Sequence, residues 1–332
     1  YSGRLNIAND EFTNKDYVLT LNSAIAPIQN FSNNSDILKG SFLSDSEGGI
    51  GLSIMNKSGN SRYNLGISIP FQEYDGESEV DYGKTFELAY GIDTKLNNNL
   101  TISTILGVSK ETESFLGSKG SGAYNLDDSS THTKYLGVKL HQKISSYTDI
   151  EFHGIIGKSD LYEIKESSIT GIDNVITTSA SFKVSKLKIF ADDHISISLF
   201  QPTRIEKGKM KINLVDDYDS SGNISFKEHS VEIKPSGRQI DTVLDYGVNL
   251  KSGINLKIKG IYSTDEGHKS DQKNAFSSFF GVGYNDMKLG FSIENEEVTN
   301  GMFKLNDNLK ISIEKDKLNN SISTMLDYKV KF

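Results

Sequence analysis

The chain has 332 residues, no cysteine and a formal net charge of −8. That length allows one large all-β domain or two ordinary ones. The missing cysteines exclude disulfides and thiolate metal sites, and the acidic balance excludes nucleic acid as a general partner, because phosphate binding wants a basic face.

Residues 1–48 are the least regular part. Short strands are expected at 17–21 and 38–43, with a brief helical or irregular piece at 24–31. Tyr1 stands where an initiating Met is absent, so a processed or truncated start is expected, with function extending into residues upstream. From Gly49 onward the pattern is apolar–polar alternation, which a strand with one greasy and one wet side requires. Strands are expected at 49–57, 61–71, 83–95, 99–109, 132–144, 147–158, 173–184 and 187–199. They continue at 208–219, 224–235, 239–250, 254–263, 275–284, 287–296, 307–314 and 321–332. No apolar run approaches the ~18–20 residues of a membrane helix. The 4 prolines suit a sheet, where Pro cannot donate to the ladder, and the 29 glycines suit its turns.

The faces separate well. Phe86, Leu88, Tyr90 and Ile92 oppose Glu87, Ala89, Gly91 and Asp93. Ile240, Thr242, Leu244, Tyr246, Val248 and Leu250 oppose Asp241, Val243, Asp245, Gly247 and Asn249. Alternation alone leaves two architectures open: a membrane barrel with its apolar face outward, or a soluble β-domain with it inward. Connections alternate short and long, with longer ones at 72–82, 110–131, 159–172, 201–207, 264–274 and 297–306. An up-and-down meander gives that alternation. The link at 235–238 is short where a long one is due. This count leaves the last strand at the long-connection end, opposite to the outer-membrane arrangement, unless a hairpin is hidden near 299–302. The fold expected is an all-β, antiparallel up-and-down β-barrel of about 12–16 strands, outer-membrane type favoured, with 1–48 as linker and 49–332 as barrel. Trp is absent, leaving 15 Tyr and 17 Phe for any interfacial girdle.

Three stretches, 113–124 (ESFLGSKGSGAY), 198–208 (SLFQPTRIEKG) and 235–241 (PSGRQID, leading to Tyr246), carry a resemblance by their order and spacing. Together they resemble the C-terminal β-domain that follows the peptidase in subtilisin-like, autotransporter-type secreted serine proteases of Gram-negative bacteria. The match covers roughly 85–285, and the chain departs from the family by continuing past Tyr284. The resemblance implies a non-catalytic translocator or anchor in the outer membrane, with the catalytic Asp, His and Ser upstream. The partners it implies are outer-membrane lipid, an upstream passenger, and the insertion machinery reading the terminal Phe332. The alternative is a soluble secreted or periplasmic β-domain that accompanies a protease and binds a ligand, a carbohydrate or calcium.

No reaction is written in the residues. The six histidines, His132, His141, His153, His194, His229 and His268, lack a subtilase-like His-Gly context, and no Gly-x-Ser-x-Gly elbow occurs. His141 and His153 read as lumen-facing or solvated. Asp217, Asp219, Ser221 and Glu228 stand at calcium-loop spacing, with Gly222 at the bend and Ser225 positioned to act through water. A β-hairpin turning at 220–223 explains the same residues without the flanking helices that an EF-hand needs, and is favoured; calcium is otherwise the only cofactor suggested. Gly117, Gly120 and Gly122 sit in a loop with no helix to cradle phosphate, so a mobile loop or one folded into a pore is expected. The acidic pairs Asp127/Asp128, Asp192/Asp193 and Glu296/Glu297 read as hydrated charge.

Overall fold

A computed structural model describes residues 17–23, 49–58, 60–70, 85–116, 118, 120–126, 129–162, 164, 167–190, 192–218, 220, 222–250, 253–284, 287–294, 297–306, 309–316 and 321–328. Among the described residues the architecture is all-β, a 17-stranded antiparallel up-and-down sheet. In chain order the strands are β1 (Tyr17–Ser23), β2 (Gly49–Ser58), β3 (Ser61–Pro70), β4 (Thr85–Lys95), β5 (Leu100–Thr112), β6 (Ser130–Ser145), β7 (Thr148–Tyr162), β8 (Ile169–Leu187) and β9 (Asp192–Tyr218). There follow β10 (Ile224–Glu232), β11 (Ile240–Asn249), β12 (Ile254–Thr264), β13 (Ala275–Tyr284), β14 (Met287–Glu294), β15 (Glu297–Asn306), β16 (Leu309–Asp316) and β17 (Ser321–Tyr328). The segments expected at 24–31 and 38–43 lie outside the described residues, as does Phe332.

The chain divides into two compact units: Tyr1–His141, His153–Ala180 and Pro202–Pro235 in the first, Gln142–Phe152, Ser181–Gln201 and Ser236–Phe332 in the second. In the first, β1 to β5 pair with their sequence neighbours, as in Leu52↔Ile67, Ile67↔Leu88 and Leu88↔Val108. In the second, β11 to β17 do the same, through Tyr246↔Ile258, Ile258↔Phe280 and Phe280↔Phe291.

Two boundaries differ from expectation. The segments 187–199 and 208–219 are parts of one 27-residue strand, β9, and the presumed loop at 201–207 lies inside it. Its first half pairs with β11 (Phe200↔Asp241 to Asp192↔Asn249), and its second half pairs with β10 (Lys209↔Glu232 to Tyr218↔Ile224). The link at 235–238 is therefore a jog between two strands that run the same way along β9. That explains why it is short. The second difference is β15, a strand where a loop at 297–306 was expected; it pairs with β14 and β16. With both corrections β17 runs toward the short-connection end, the direction the outer-membrane arrangement requires.

The jog is held by side chains from two of the three family-like stretches. In the first unit, the buried Arg204 donates from Nη2 to the Pro235 carbonyl at 2.9 Å and from Nη1 to Glu206 Oε2 at 2.5 Å. In the second, Arg238 Nη1 donates to Gln201 Oε1, and Gln239 N donates to Nδ1 of buried His268 at 2.9 Å. Gly237 N donates to the His268 carbonyl at 2.7 Å. A Cβ at Gly237 would stand 2.6 Å from Ser270 N, so only glycine admits this approach.

The apolar core of the first unit is Phe115, Leu126, Leu161, Ile169, Ile172 and Val175, with Ile205, Met210 and Ile233 packed against it. Replacing Arg204 by Ala removes the buried partner of a part-buried ion pair and the donor to the Pro235 carbonyl, a change that costs about 1–3 kcal/mol. Arg204→Ala should lower the denaturant midpoint read by tyrosine fluorescence. Arg204→Lys should recover only part of the loss, because an ammonium lacks the fork that reaches both acceptors.

Candidate functional site

The chemistry of this molecule lies in the two faces of its sheet. In β4, Glu87 is 1% exposed and Ala89 1%, whereas Phe86, Leu88 and Tyr90 are 40%, 36% and 42% exposed. The alternation is the one read from the sequence, and its sense is inverted relative to a soluble β-domain. Cross-strand register extends it: Leu88 lies beside Val108 and Tyr90 beside Leu106, both well exposed. On β6 and β7, Leu136, Leu140, Phe152 and Ile156 are exposed while Thr133, Tyr135, His153 and Ser159 are buried.

In the second unit the apolar row is exposed as well, but the polar face around Asp245 is open rather than buried. Leu244, Ile258, Tyr262, Phe276, Leu289, Phe291 and Phe303 are exposed. Register places them as neighbours, since Thr242↔Tyr262, Tyr262↔Phe276, Val282↔Leu289 and Leu289↔Phe303 are paired. Phe280 and Phe291 rings meet at 5.4 Å. The other face carries His194, Asp245 and Lys257, with His194 Nε2 3.2 Å from Asp245 Oδ1 and Lys257 Nζ 3.8 Å from Asp245 Oδ2. Gly247 lies beneath the His194 ring, which a Cβ there would overlap.

The polar face of the first unit is built closely. Tyr135 lies over Gly107, where any Cβ would strike its ring, and its hydroxyl donates to Glu87 Oε1. Thr133 Oγ1 and Ser159 Oγ share a hydrogen bond of 2.7 Å. Among the described residues Glu87 Oε2, Ser129 Oγ and Thr177 Oγ1 are buried without a hydrogen-bond partner. Sequence reading put Glu87 on the polar face but had no means of finding Tyr135 as its partner. Their separation of 48 positions hides the pair; a Gly opposite a large aromatic was the one available signal.

Of the sequence-predicted metal residues, Asp217 and Glu228 lie on the two strands of the β9–β10 hairpin, with Gly222 between them at φ 81°. Asp217 pairs in register with Ser225, whose Oγ donates to the Asp217 carbonyl at 3.2 Å. Glu228 is paired with Asn213 and accepts from Thr170 Oγ1 at 2.9 Å. Asp219 and Ser221 lie outside the described residues. Among the described residues no group of three or more His, Cys, Asp or Glu forms a metal cluster.

The Gly-rich stretch is anchored at its two flanks, while its described residues between them are largely exposed. Phe115 and Leu126 are buried in the apolar core, a 3₁₀ turn spans Gly122–Tyr124, and Ser168 N donates to the Ala123 carbonyl at 2.7 Å. Ser114 Oγ donates to Glu111 Oε2 at 3.1 Å, and Thr131 Oγ1 donates to the Ser114 carbonyl at 2.5 Å. Asp193 is buried and accepts from Ile189 N at 2.7 Å, so it caps a turn. Asp127, Asp128 and Glu296 lie outside the described residues.

No family model and no curated protein matches the chain. Among solved structures, the chain is similar to crystal structures of mutants of the ferric enterobactin receptor from Pseudomonas aeruginosa. A single-substitution mutant gives a TM-score of 0.46 at 11% identity, covering 88% of this chain and 47% of the receptor. A double-substitution mutant of the same receptor gives 0.44 at 12%, covering 89% and 48%. The chain thus spans about half the length of the receptors it matches.

Two outcomes are expected. Tyr135→Phe, which leaves both Glu87 oxygens without that donor, should cost about 1–3 kcal/mol in unfolding free energy, read by denaturant titration. Calcium should leave the melting temperature unchanged, in the parent and in Asp217→Ala alike. A calcium-dependent rise that Asp217→Ala abolishes would restore the hairpin as a metal site.

Proposed function

We propose that this chain is an outer-membrane β-domain whose work is physical: it sits in lipid with its apolar face outward and its polar face turned away from hydrocarbon. The observation that carries this reading is the inverted burial of adjacent residues, Glu87 hidden and Phe86 exposed. In water that arrangement costs free energy on both faces, because apolar area stays wet and polar groups are desolvated. In a bilayer the same arrangement is the stable one, since strands satisfy their backbone groups against one another and present apolar side chains to the acyl chains. The direction of β17, toward the short connections, agrees with it.

The narrower reading is a translocator or anchor for a subtilisin-like passenger encoded upstream. Its support is the ordered resemblance of three stretches, two of which supply Arg204 and Arg238 at the jog. In that role the polar face accommodates the segment leading to the passenger, and the terminal Phe332 addresses the insertion machinery.

Purified chain should require detergent, and should migrate faster on gels unheated than boiled. Leu106→Lys and Ile258→Lys, on the exposed face near mid-strand, should each cost about 2–4 kcal/mol in lipid. Ser196→Lys, on the other face, should cost much less. A monodisperse monomer in plain buffer would instead favour the soluble β-domain. For the narrower reading, the upstream reading frame should encode a subtilase, and deleting 49–332 should leave that protease in the periplasm.

A further inference from the structure

In the first unit the inverted burial does not run the full length of the strands. Along the outer row of β5, exposed Leu106 and Val108 give way to Lys110. On β6 the change falls between Leu136 and Lys134, and on β7 between Ile156 and Lys158, with Asp160 following. On β8 it falls between Ile176 and the exposed Asn174. Beyond these points the outer row carries charge: Lys211 Nζ pairs with Asp173 Oδ2 at 3.1 Å, and Thr170 meets Glu228. On β7 and β8 the inner row changes in the opposite sense: Ser159 gives way to Leu161, and Thr177 to Val175, Ile172 and Ile169, which form the apolar core with Phe115 and Leu126. On β5 and β6 the inner row stays polar to the end, with Ser109, Glu111, Thr131 and Thr133 buried.

β7 and β8 are thus polar-in at one end and apolar-in at the other. An apolar core under a charged surface is the stable arrangement in water, and the reverse is stable in hydrocarbon. From this crossover we infer that the lipid–water boundary of the first unit runs between Val108 and Lys110, Leu136 and Lys134, Ile156 and Lys158, and Ile176 and Asn174. The part beyond it is a water-exposed cap with its own hydrophobic core. Strand lengths agree: a bilayer needs ~9–11 residues of strand, and β7, β8 and β9 have 15, 19 and 27. Three lysines just past the apolar row suit the headgroup level, where ammonium ends reach water while their stems lie along apolar surface. The Gly-rich stretch is the strut of the cap, fastened to its core by Phe115 and Leu126. The β9–β10 hairpin, whose β10 residues are all exposed, is its outermost part.

This inference rests on the membrane reading, and the test separates the two. The chain has no cysteine, so single-cysteine variants label without background. Val108→Cys, Leu136→Cys, Ile156→Cys, Lys134→Cys, Lys158→Cys and Asn174→Cys would each carry a bimane fluorophore in phosphatidylcholine vesicles. Brominated acyl chains should quench most of the signal at 108, 136 and 156. Iodide in the buffer should quench 134, 158 and 174 instead. Lipid quenching that is equal at all six positions overturns the boundary and leaves the membrane reading standing. No lipid quenching anywhere overturns both. All six positions are surface substitutions, and native-like heat-modifiable migration of each variant confirms that folded protein is being read.

Discussion

The constraint on which the structure depends is that a strand presents two rows of side chains, and in β4 to β8 one row is enclosed while the other is exposed. A strand sends successive side chains to opposite sides, so one register decides the fate of every residue on it. Here the row containing Phe86, Leu88 and Tyr90 faces out, and the row containing Glu87 and Ala89 is enclosed. Slipping β4 by one residue would drive Glu87 into the apolar row. Register is therefore strongly specified, by the exposed row and by the large Glu87 and Tyr135 on the enclosed one.

The enclosed face shows how such a strand row is filled. Glycines at 107 and 137 leave room that Tyr135 and Ile105 occupy, and hydroxyls at 133 and 159 pair across strands. A buried carboxylate is held by one phenol rather than by a cation. At the jog the solution is different. There two arginines reach carbonyl and amide oxygens where the ladder along β9 changes partner from β11 to β10. Regular pairing needs little help from side chains, whereas this change of partner draws on the side chain with the most donors.

Much of this was legible in the sequence. Alternation located nearly every strand, and the opposition of Phe86 to Glu87 and of Leu244 to Asp245 is readable from residue order alone. The direction of the faces was not, because period two is the same whichever side is dry. The two strand errors share a physical cause. Gln201 and Pro202 look like loop residues, yet Pro202 is tolerated in β9 where the ladder is switching partner, a position that lacks regular donors. At 297–306 the run of Glu, Asn and Gly conceals a strand whose pairing is interrupted by a register shift against each neighbour. Glycine count alone did not show that the stretch is anchored at both flanks, by Phe115 and Leu126 in the core.

The split partnership of β9 has an architectural consequence. Because β10 and β11 share a single neighbouring strand end to end, the hairpin that closes at Gly222 lengthens one ladder and displaces no other. Such an insertion can grow or shrink over evolutionary time without shifting the register of any strand after Ile240, provided that the two arginines at its foot stay in place.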